Sequence, residues 1–444
     1  MPRLVFAWGR EKILAHHLVN ALKALNSASE TEVSSSSSPL SLHRPNMMLN
    51  IFLMAPGHYS IDKLLRMFGA NAHYPDSFHA TDPRDMIFAL LNISSDASAL
   101  GIVADYSLTT EEVYIRTTET LIRAGKLGIL SLSGIGPNPR NLPSWVPDFS
   151  LARTRGLPEV LECFSALGPT GAAPSSFSSG TTRREPEFQH TQKTLQLSGF
   201  RVDVILETGR EMLAHQFAMH YLDWVPYMKS WFKDFEEFLY SNGISKDVVQ
   251  ETGALWKVPI ADVEGSLPGP IKTNNQGGTQ ESALSFTRAS EKTYESYLKF
   301  RELLDNPRYV FEGQTGSTGW LQQWLSRFRR AVWGMRTEHQ PVIVDSVDIT
   351  GRQSRSLYLR YQRAIWRMGV GYKPFITTQR HIGFGPETSV ATDLVVMFSG
   401  ATTPYIIREV EPRVHKIVGV CYIHGLMDGK FFETNPVLES FTIQ

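Results

Sequence analysis

The sequence predicts an α+β protein: a helical region followed by a C-terminal β-rich unit, a small antiparallel sheet or barrel, with disordered Ser/Gly-rich insertions. Three observations carry this. Apolar residues recur at helical spacing, between capping signals, through much of the chain before residue 369. From Phe375 the pattern changes to short apolar runs punctuated by Gly and Pro. Polar, Ser- and Gly-rich stretches separate the ordered pieces.

The 444 residues allow two or three domains at about 150 residues each. Hydrophobic residues make up 42% and aromatics 11%, enough for sizeable cores. Lys+Arg and Asp+Glu both number 44, so no overall charge draws the chain to nucleic acid or an anionic membrane. Two cysteines, Cys163 and Cys421, offer neither a disulfide framework nor a CxxC metal pair. The N-terminus lacks the apolar core of a signal peptide, and no run is long enough to span a membrane. The expectation is a cytoplasmic protein with no cofactor and no metal.

In chain order, Leu4 to Trp8 reads as a short strand. Ile13, Leu14, His17, Leu18, Ala21, Leu22 and Leu25 recur as on a helix. Residues 27–42 are a Ser-rich linker. The helical region spans 43–163. Ile61 to Phe68 is a short helix. Asp82 suits a helix cap, Pro83 the first position and Asp85 the first turn, before the apolar Met86 to Leu91. Thr109 and Glu112 have capping-box spacing, Val113, Thr117 and Leu121 share a face, and Gly125 stops the helix. Ile129 to Leu132 reads as extended. Pro143 to Pro147 excludes a regular helix.

Residues 164–193 read as a disordered insertion. The last part, 194–444, opens with a strand at Thr194 to Ile205. A helical pattern follows over Glu211 to Tyr240, broken at Pro226 and stopped by Gly243. Residues 264–281 form a polar, Gly-rich loop expected to be disordered. Ser290 to Leu304, Trp320 to Met335 and Leu357 to Met368 read as helices. Strands are expected at Phe375 to Thr378, Asp393 to Phe398, Tyr405 to Val410 and Lys416 to Ile423.

Several blocks occur in an order that points to a family. They are ATDPRDMIFALLNI with Asp82, Pro83, Arg84 and Asp85; ADYS with Asp105 and Tyr106; and LPSWVPDFS with Trp145, Pro147 and Asp148. TLQLSGFRVDVI follows. The C-terminal run contains Gly383, Gly385 and Pro386, then YIHGLMDG with Tyr422, His424, Gly425, Asp428 and Gly429. Together they resemble the fungal heterokaryon-incompatibility (HET-domain) proteins, in the part that follows the HET core. The core blocks, of the type YxALSYxWG and WIDALCINQ, do not occur here. Residues 1–26 resemble the end of that domain. The resemblance implies a role in allorecognition and programmed cell death when incompatible hyphae fuse. It implies other proteins as partners, and a truncated member that lacks the core. The core has been likened to TIR domains, some of which cleave NAD, so a catalytic core upstream is the alternative.

The residues themselves offer little catalysis. Asp82, Arg84 and Asp85 place two acids around a base, but a helix start explains the acids. Ser144, Trp145 and Asp148 lie between prolines with no base at a telling spacing, and no G-x-S-x-G elbow occurs. Gly383, Gly385 and Pro386 hold a lone GxG whose third position is Thr388, which reads as a turn between strands. His424 and Asp428 invite an acid–base reading, yet Asp428-Gly429 is a turn signal and no third partner is visible. Thirteen histidines include no HExxH. The family-motif residues are therefore expected to be structural. A basic region with Arg327, Arg330, Arg360, Arg363 and Arg367 could serve as an interaction surface for an anion or as a peripheral membrane contact. Its simpler reading is the solvated rim of core-facing helices.

Overall fold

The computed structural model describes residues 59–69, 80–134, 136, 139–151, 163–164, 186–189, 193–213, 221–266, 285–305, 371–444 and part of 360–369. It also describes short stretches at 5–8, 11–14, 272–273 and 279–280.

Strand β1 (Val5–Trp8) pairs antiparallel with β2 (Glu11–Leu14), Trp8 opposite Glu11. The helix expected from Ile13 is thus corrected for Ile13 and Leu14, which are strand residues. The rest of that pattern and the Ser-rich linker lie outside the described residues.

Helix α1 (Ile61–Gly69) buries Ile61, Leu64 and Leu65. Helix α2 (Asp85–Leu91) starts later than its cap signal suggests, because Arg84 occupies the cap position without a side-chain cap bond. Asp82 instead accepts the Arg84 N–H at 3.0 Å, a local Asx turn that competes with capping. Helix α3 (Thr110–Arg123) carries the capping box. Thr109 accepts from the Glu112 N–H at 3.2 Å and the Glu112 carboxylate accepts from the Thr109 N–H at 2.9 Å. Its buried face includes Val113, Thr117 and Leu121, and Gly125 (φ 76°) turns the chain away. Leu127–Leu132 is a 3₁₀ helix, not a strand. Leu127, Ile129, Leu130 and Leu132 are all buried, so the run carries no period to distinguish the two.

In the span expected to be disordered, Phe164 is buried and β3 (Glu187–Gln189) pairs with β4 (Thr194–Thr208). Residues 165–185 lie outside the described residues. Helix α4 (Tyr221–Ser241) continues through Pro226, where a break was expected, and residues 214–220 lie outside the described residues. Residues 211–213 run beside a later strand instead, the Met212 N–H donating to the Tyr372 carbonyl at 2.9 Å. Pro226 forgoes one backbone bond inside the helix, and Trp231, Phe235 and Leu239 bury the face below it.

Helices α5 (Lys246–Thr252) and α6 (Ala254–Lys257) follow. Strand β5 (Val263–Ser266) returns against β8 (Ser285–Arg288), and β6 (Lys272–Thr273) against β7 (Thr279–Gln280). The expected structureless loop at 264–281 therefore carries strand pairing. Helix α7 (Glu291–Asp305) matches its pattern, and the described residues within 360–368 are helical. The pattern at Trp320 to Met335 lies outside the described residues.

The C-terminal strands are β9 (Tyr372–Thr377), β10 (Ile382–Pro386), β11 (Leu394–Phe398), β12 (Tyr405–Glu411), β13 (Val414–Val420), β14 (Tyr422–Ile423) and β15 (Leu438–Ile443). They pair in the order β11-β12-β13-β15-β4-β9-β10-β14, and β11 also pairs with β4. The second pairing closes β4, β11, β12, β13 and β15 into a ring, leaving no free edge there. All these pairings are antiparallel except β13 with β15. The 15-residue β4 is long enough to pair successively with β15, β11 and β9.

Alternation along β11 shows how the barrel is used. Val395 and Met397 join Phe200, Val202, Phe375, Ile406 and Val418 in one apolar cluster. Leu394, Val396 and Phe398 join the larger cluster that includes the helices. Both faces of the strand are buried, at about 1.5–3 kcal/mol for each large apolar side chain removed from water. The architecture is α+β, with a β-rich C-terminal unit, as the sequence predicts.

Candidate functional site: the motif residues and the His424 junction

Most of the family-motif polar side chains are occupied by internal bonds. The Arg84 guanidinium grips both Asp82 oxygens, with Nη2 2.6 Å from Oδ2. Its Nη1 donates to the carbonyls of Tyr106 (2.8 Å) and Leu108 (2.7 Å). The Arg84 side-chain and backbone bonds to Asp82 hold its carboxyl below its ordinary pKa. The Tyr106 hydroxyl donates to Asp85 at 2.6 Å, and the Tyr114 hydroxyl to the Pro83 carbonyl at 2.7 Å. Asp105 accepts the Ser107 N–H and hydroxyl. The two acids and the base therefore tie the start of α2 to the approach to α3.

The Pro-flanked loop fastens the helical region to the barrel. The Trp145 indole donates to the Lys193 carbonyl at 3.0 Å, and its ring meets Phe188 edge-on. The Ser144 hydroxyl accepts the Ile417 N–H of β13 at 3.0 Å. Pro147 is buried between Trp145 and Asp148. Asp148 accepts from Ser150 and lies 3.4 Å from Arg140. From the other side, the Tyr405 hydroxyl donates to the Leu127 carbonyl at 3.3 Å.

Gly383, Gly385 and Pro386 do not form the expected turn; they lie in β10. Gly383 is opposite Phe375 in the register, and a Cβ there would stand 2.0 Å from the Phe375 ring. Glycine is required by close approach, which the local Gly-x-Gly-Pro spelling does not reveal.

His424 lies at the junction of β14 and α5. Its Nε2 is 3.1 Å from the Thr252 carbonyl, and its Nδ1 is 2.9 Å from the Tyr422 hydroxyl. A carbonyl only accepts, so Nε2 carries the proton and Nδ1 accepts from Tyr422. Burial and then the Lys257 charge push this imidazole down to about 4. Both nitrogens are engaged, so no lone pair is ready to take a substrate proton. Asp428 is not its partner; it stands near Lys430 at 3.9 Å. Gly425 follows on the exposed turn, and Gly429 (φ 87°) starts a short 3₁₀ helix.

Beside this junction lies a cluster that the sequence did not flag. Asp262 is buried and pairs with Arg288 at 2.7 Å. Burial raises its pKa against the pull of Arg288 and Lys257. A second unflagged cluster sits under α1. Lys126 is 2.8 Å from both Asp62 and Asp96, and Arg66 is 3.3 Å from Asp62. Burial opposes the Asp62 charge, but bonds from Lys126 and Ser60 and the two cations hold its pKa low. Of the basic region, Arg360 is exposed and 3.8 Å from Glu264. Arg327, Arg330, Arg363 and Arg367 lie outside the described residues. Among the described residues, no group of His, Cys, Asp and Glu could hold a metal ion, and no helix is long and apolar enough to cross a membrane.

Fold and motifs together define a helical region fastened to a closed β-barrel, with the barrel at the C-terminal end. Residues 192–443 match the Het-6 beta-barrel domain, and the chain belongs to that family. Over 382 residues the chain is 25% identical to heterokaryon incompatibility protein 6, OR allele, of Neurospora crassa. That alignment covers 80% of this chain and 49% of the relative, so the chain spans about half of the relative's length. No solved structure matches.

Proposed function

We propose that the chain acts in fungal heterokaryon incompatibility as a non-enzymatic, cytoplasmic component that works through protein contacts. Its family and its Neurospora crassa relative support the allorecognition setting. The observation that carries the non-enzymatic part is the use of the motif side chains. Arg84, Asp82, Tyr106, Trp145 and His424 are all engaged in bonds within the chain, which leaves none as an activated nucleophile or free base.

The half of the relative outside the alignment favours a second reading, in which a NAD-cleaving core belongs to the intact system and lies beyond this chain. One experiment separates them. The purified chain is incubated with NAD, and the same chain is expressed in a fungal host during forced hyphal fusion. The proposal expects no NAD turnover, together with a change in fusion-triggered death that requires a co-purifying protein. Turnover by the purified chain would overturn it. Death that appears only when an upstream segment is fused to the chain would support the second reading.

A further inference from the structure

The stretch 102–108, between α2 and α3, holds two large apolar side chains out of the core. Val103 is 70% exposed and Tyr106 56%. Among the described residues, Val437 is the only other large apolar side chain more than half exposed. Single exposed apolar side chains are ordinary on a surface. Here two of them stand three positions apart, with the exposed Ala104 between.

The stretch is kept from folding these side chains inward, because it is fixed at both ends. Ile102 is buried, and its N–H donates to the Ala97 carbonyl at 3.0 Å. At the other end Arg84 Nη1 holds the carbonyls of Tyr106 and Leu108 at 2.8 and 2.7 Å. Between them Asp105 accepts the Ser107 N–H at 2.9 Å. Phe88 meets the Tyr106 ring edge-on at 5.0 Å, and the Arg84 guanidinium lies over that ring at 5.2 Å. The Tyr106 hydroxyl is engaged by Asp85. A surface already held in one shape spares a partner the entropy of ordering it.

Charge decides what fits there. Asp82, Asp85, Asp105 and Glu112 act on this stretch or on one another, with Arg84 and Arg116 as the cations beside them. Arg84 is already paired with Asp82 at 2.6 Å, which leaves Asp85, Asp105 and Glu112 facing Arg116. An acidic peptide, a phosphate or an anionic lipid surface would be repelled. A wholly apolar segment would strip water from the carboxylates and return nothing. A basic segment with an apolar side chain meets both demands. The apolar group covers Val103, and the cations answer the carboxylates and the open side of the Tyr106 ring. We propose that the stretch 102–108 is a docking surface for a basic peptide segment of another protein, one with an apolar side chain flanked by arginine or lysine. This rests on the reading of the chain as one that works through protein contacts. The two fail separately, because a peptide assay contains neither a fungal partner nor NAD.

The test is fluorescence anisotropy of two labelled peptides on the full chain. One is Gly-Arg-Val-Arg-Leu-Arg-Gly, and the other carries Glu in place of each Arg. The expected result is saturable binding of the basic peptide and binding about tenfold weaker for the acidic one. Raising salt from about 0.05 to about 0.3 M should weaken the basic peptide severalfold, since exposed charges are screened. Val103→Lys removes the apolar contact and adds a repelling charge, so it should weaken binding about tenfold. Its urea midpoint should stay parental, because substitutions at exposed positions seldom disturb the fold. Glu237→Lys changes an exposed charge on α4 and should leave binding as it is, which separates the patch from bulk charge. Equal binding of the two peptides, no binding of the basic one, or binding that survives Val103→Lys would overturn the proposal. So would a dimer, seen by sedimentation velocity, that Val103→Lys abolishes, since the patch would then be a contact between copies of this chain.

Discussion

Ser144 holds Gln444, 300 positions away in sequence, through both its N–H (3.0 Å) and its hydroxyl. The same hydroxyl oxygen accepts the Ile417 N–H at 3.0 Å. One serine from the Pro-flanked loop therefore ties the end of β15 to β13, where those two strands meet in a parallel register only two residues long. The motif that looked like a candidate nucleophile closes the shortest seam of the barrel.

Replacing Ser144 by alanine would leave the Ile417 N–H without its partner. The loss should lie at about 1–3 kcal/mol, read as a lower urea midpoint with an unchanged slope. Ser144→Thr, which keeps the hydroxyl, should recover most of it. An alanine variant as stable as the parent would remove this serine from the seam.

Gly383→Ala should be far more damaging than alanine usually is. Its Cβ would enter the Phe375 ring, and overpacking typically costs about 1–3 kcal/mol, occasionally more. Pairing it with Phe375→Leu should restore part of the loss, as expected for contacting residues. If the single variant melts with the parent, glycine is not needed for close approach.

His424 gives a pH dependence with a definite sign. Its folded pKa, about 4, lies below the ordinary histidine value of 6.5. Between these values the unfolded chain binds a proton that the folded chain refuses, so stability falls as pH drops from 6.5 toward 4. The contribution lost is at most about 3 kcal/mol. Burial lowers His415 as well, so the effect must be read as the difference between parent and His424→Gln. The variant should show a shallower decline over that window, and parallel curves would contradict the assignment.

Arg84→Lys should loosen the segment that leads into α3. Lysine cannot span Asp82 and the carbonyls of Tyr106 and Leu108 together. Amide exchange at residues 106–109 should quicken while β11 stays protected. Unchanged exchange there would show that the guanidinium contacts are dispensable.

What could be read in advance follows physical lines. The capping box at Thr109 and Glu112 was legible because both partners lie within four residues. Strands β9, β11, β12 and β13 were legible because apolar runs between Gly and Pro leave few alternatives. Strand β10 was hidden because Gly383 and Gly385 answer to Phe375, on the neighbouring strand. Strand β15 was missed because LESFTI is short and half polar. The motif residues stood out in the sequence, but their partners did not: Gln444, Lys193 and Ile417 come from distant sequence. Asp262 and Arg288 carried no signal, since they flank a Gly-rich stretch and meet only when β5 and β8 pair.

The central claim is that these motifs fasten the helical region and the barrel into one body. Native-state hydrogen exchange on the parent and on a Tyr405→Phe, Ser144→Ala double variant tests it most directly. The account predicts that α3 and β13 share one opening free energy in the parent, and that both lose protection together in the variant. If β13 kept its parental protection while α3 alone opened, the motifs would be local features of the helical region, and the claim would fail.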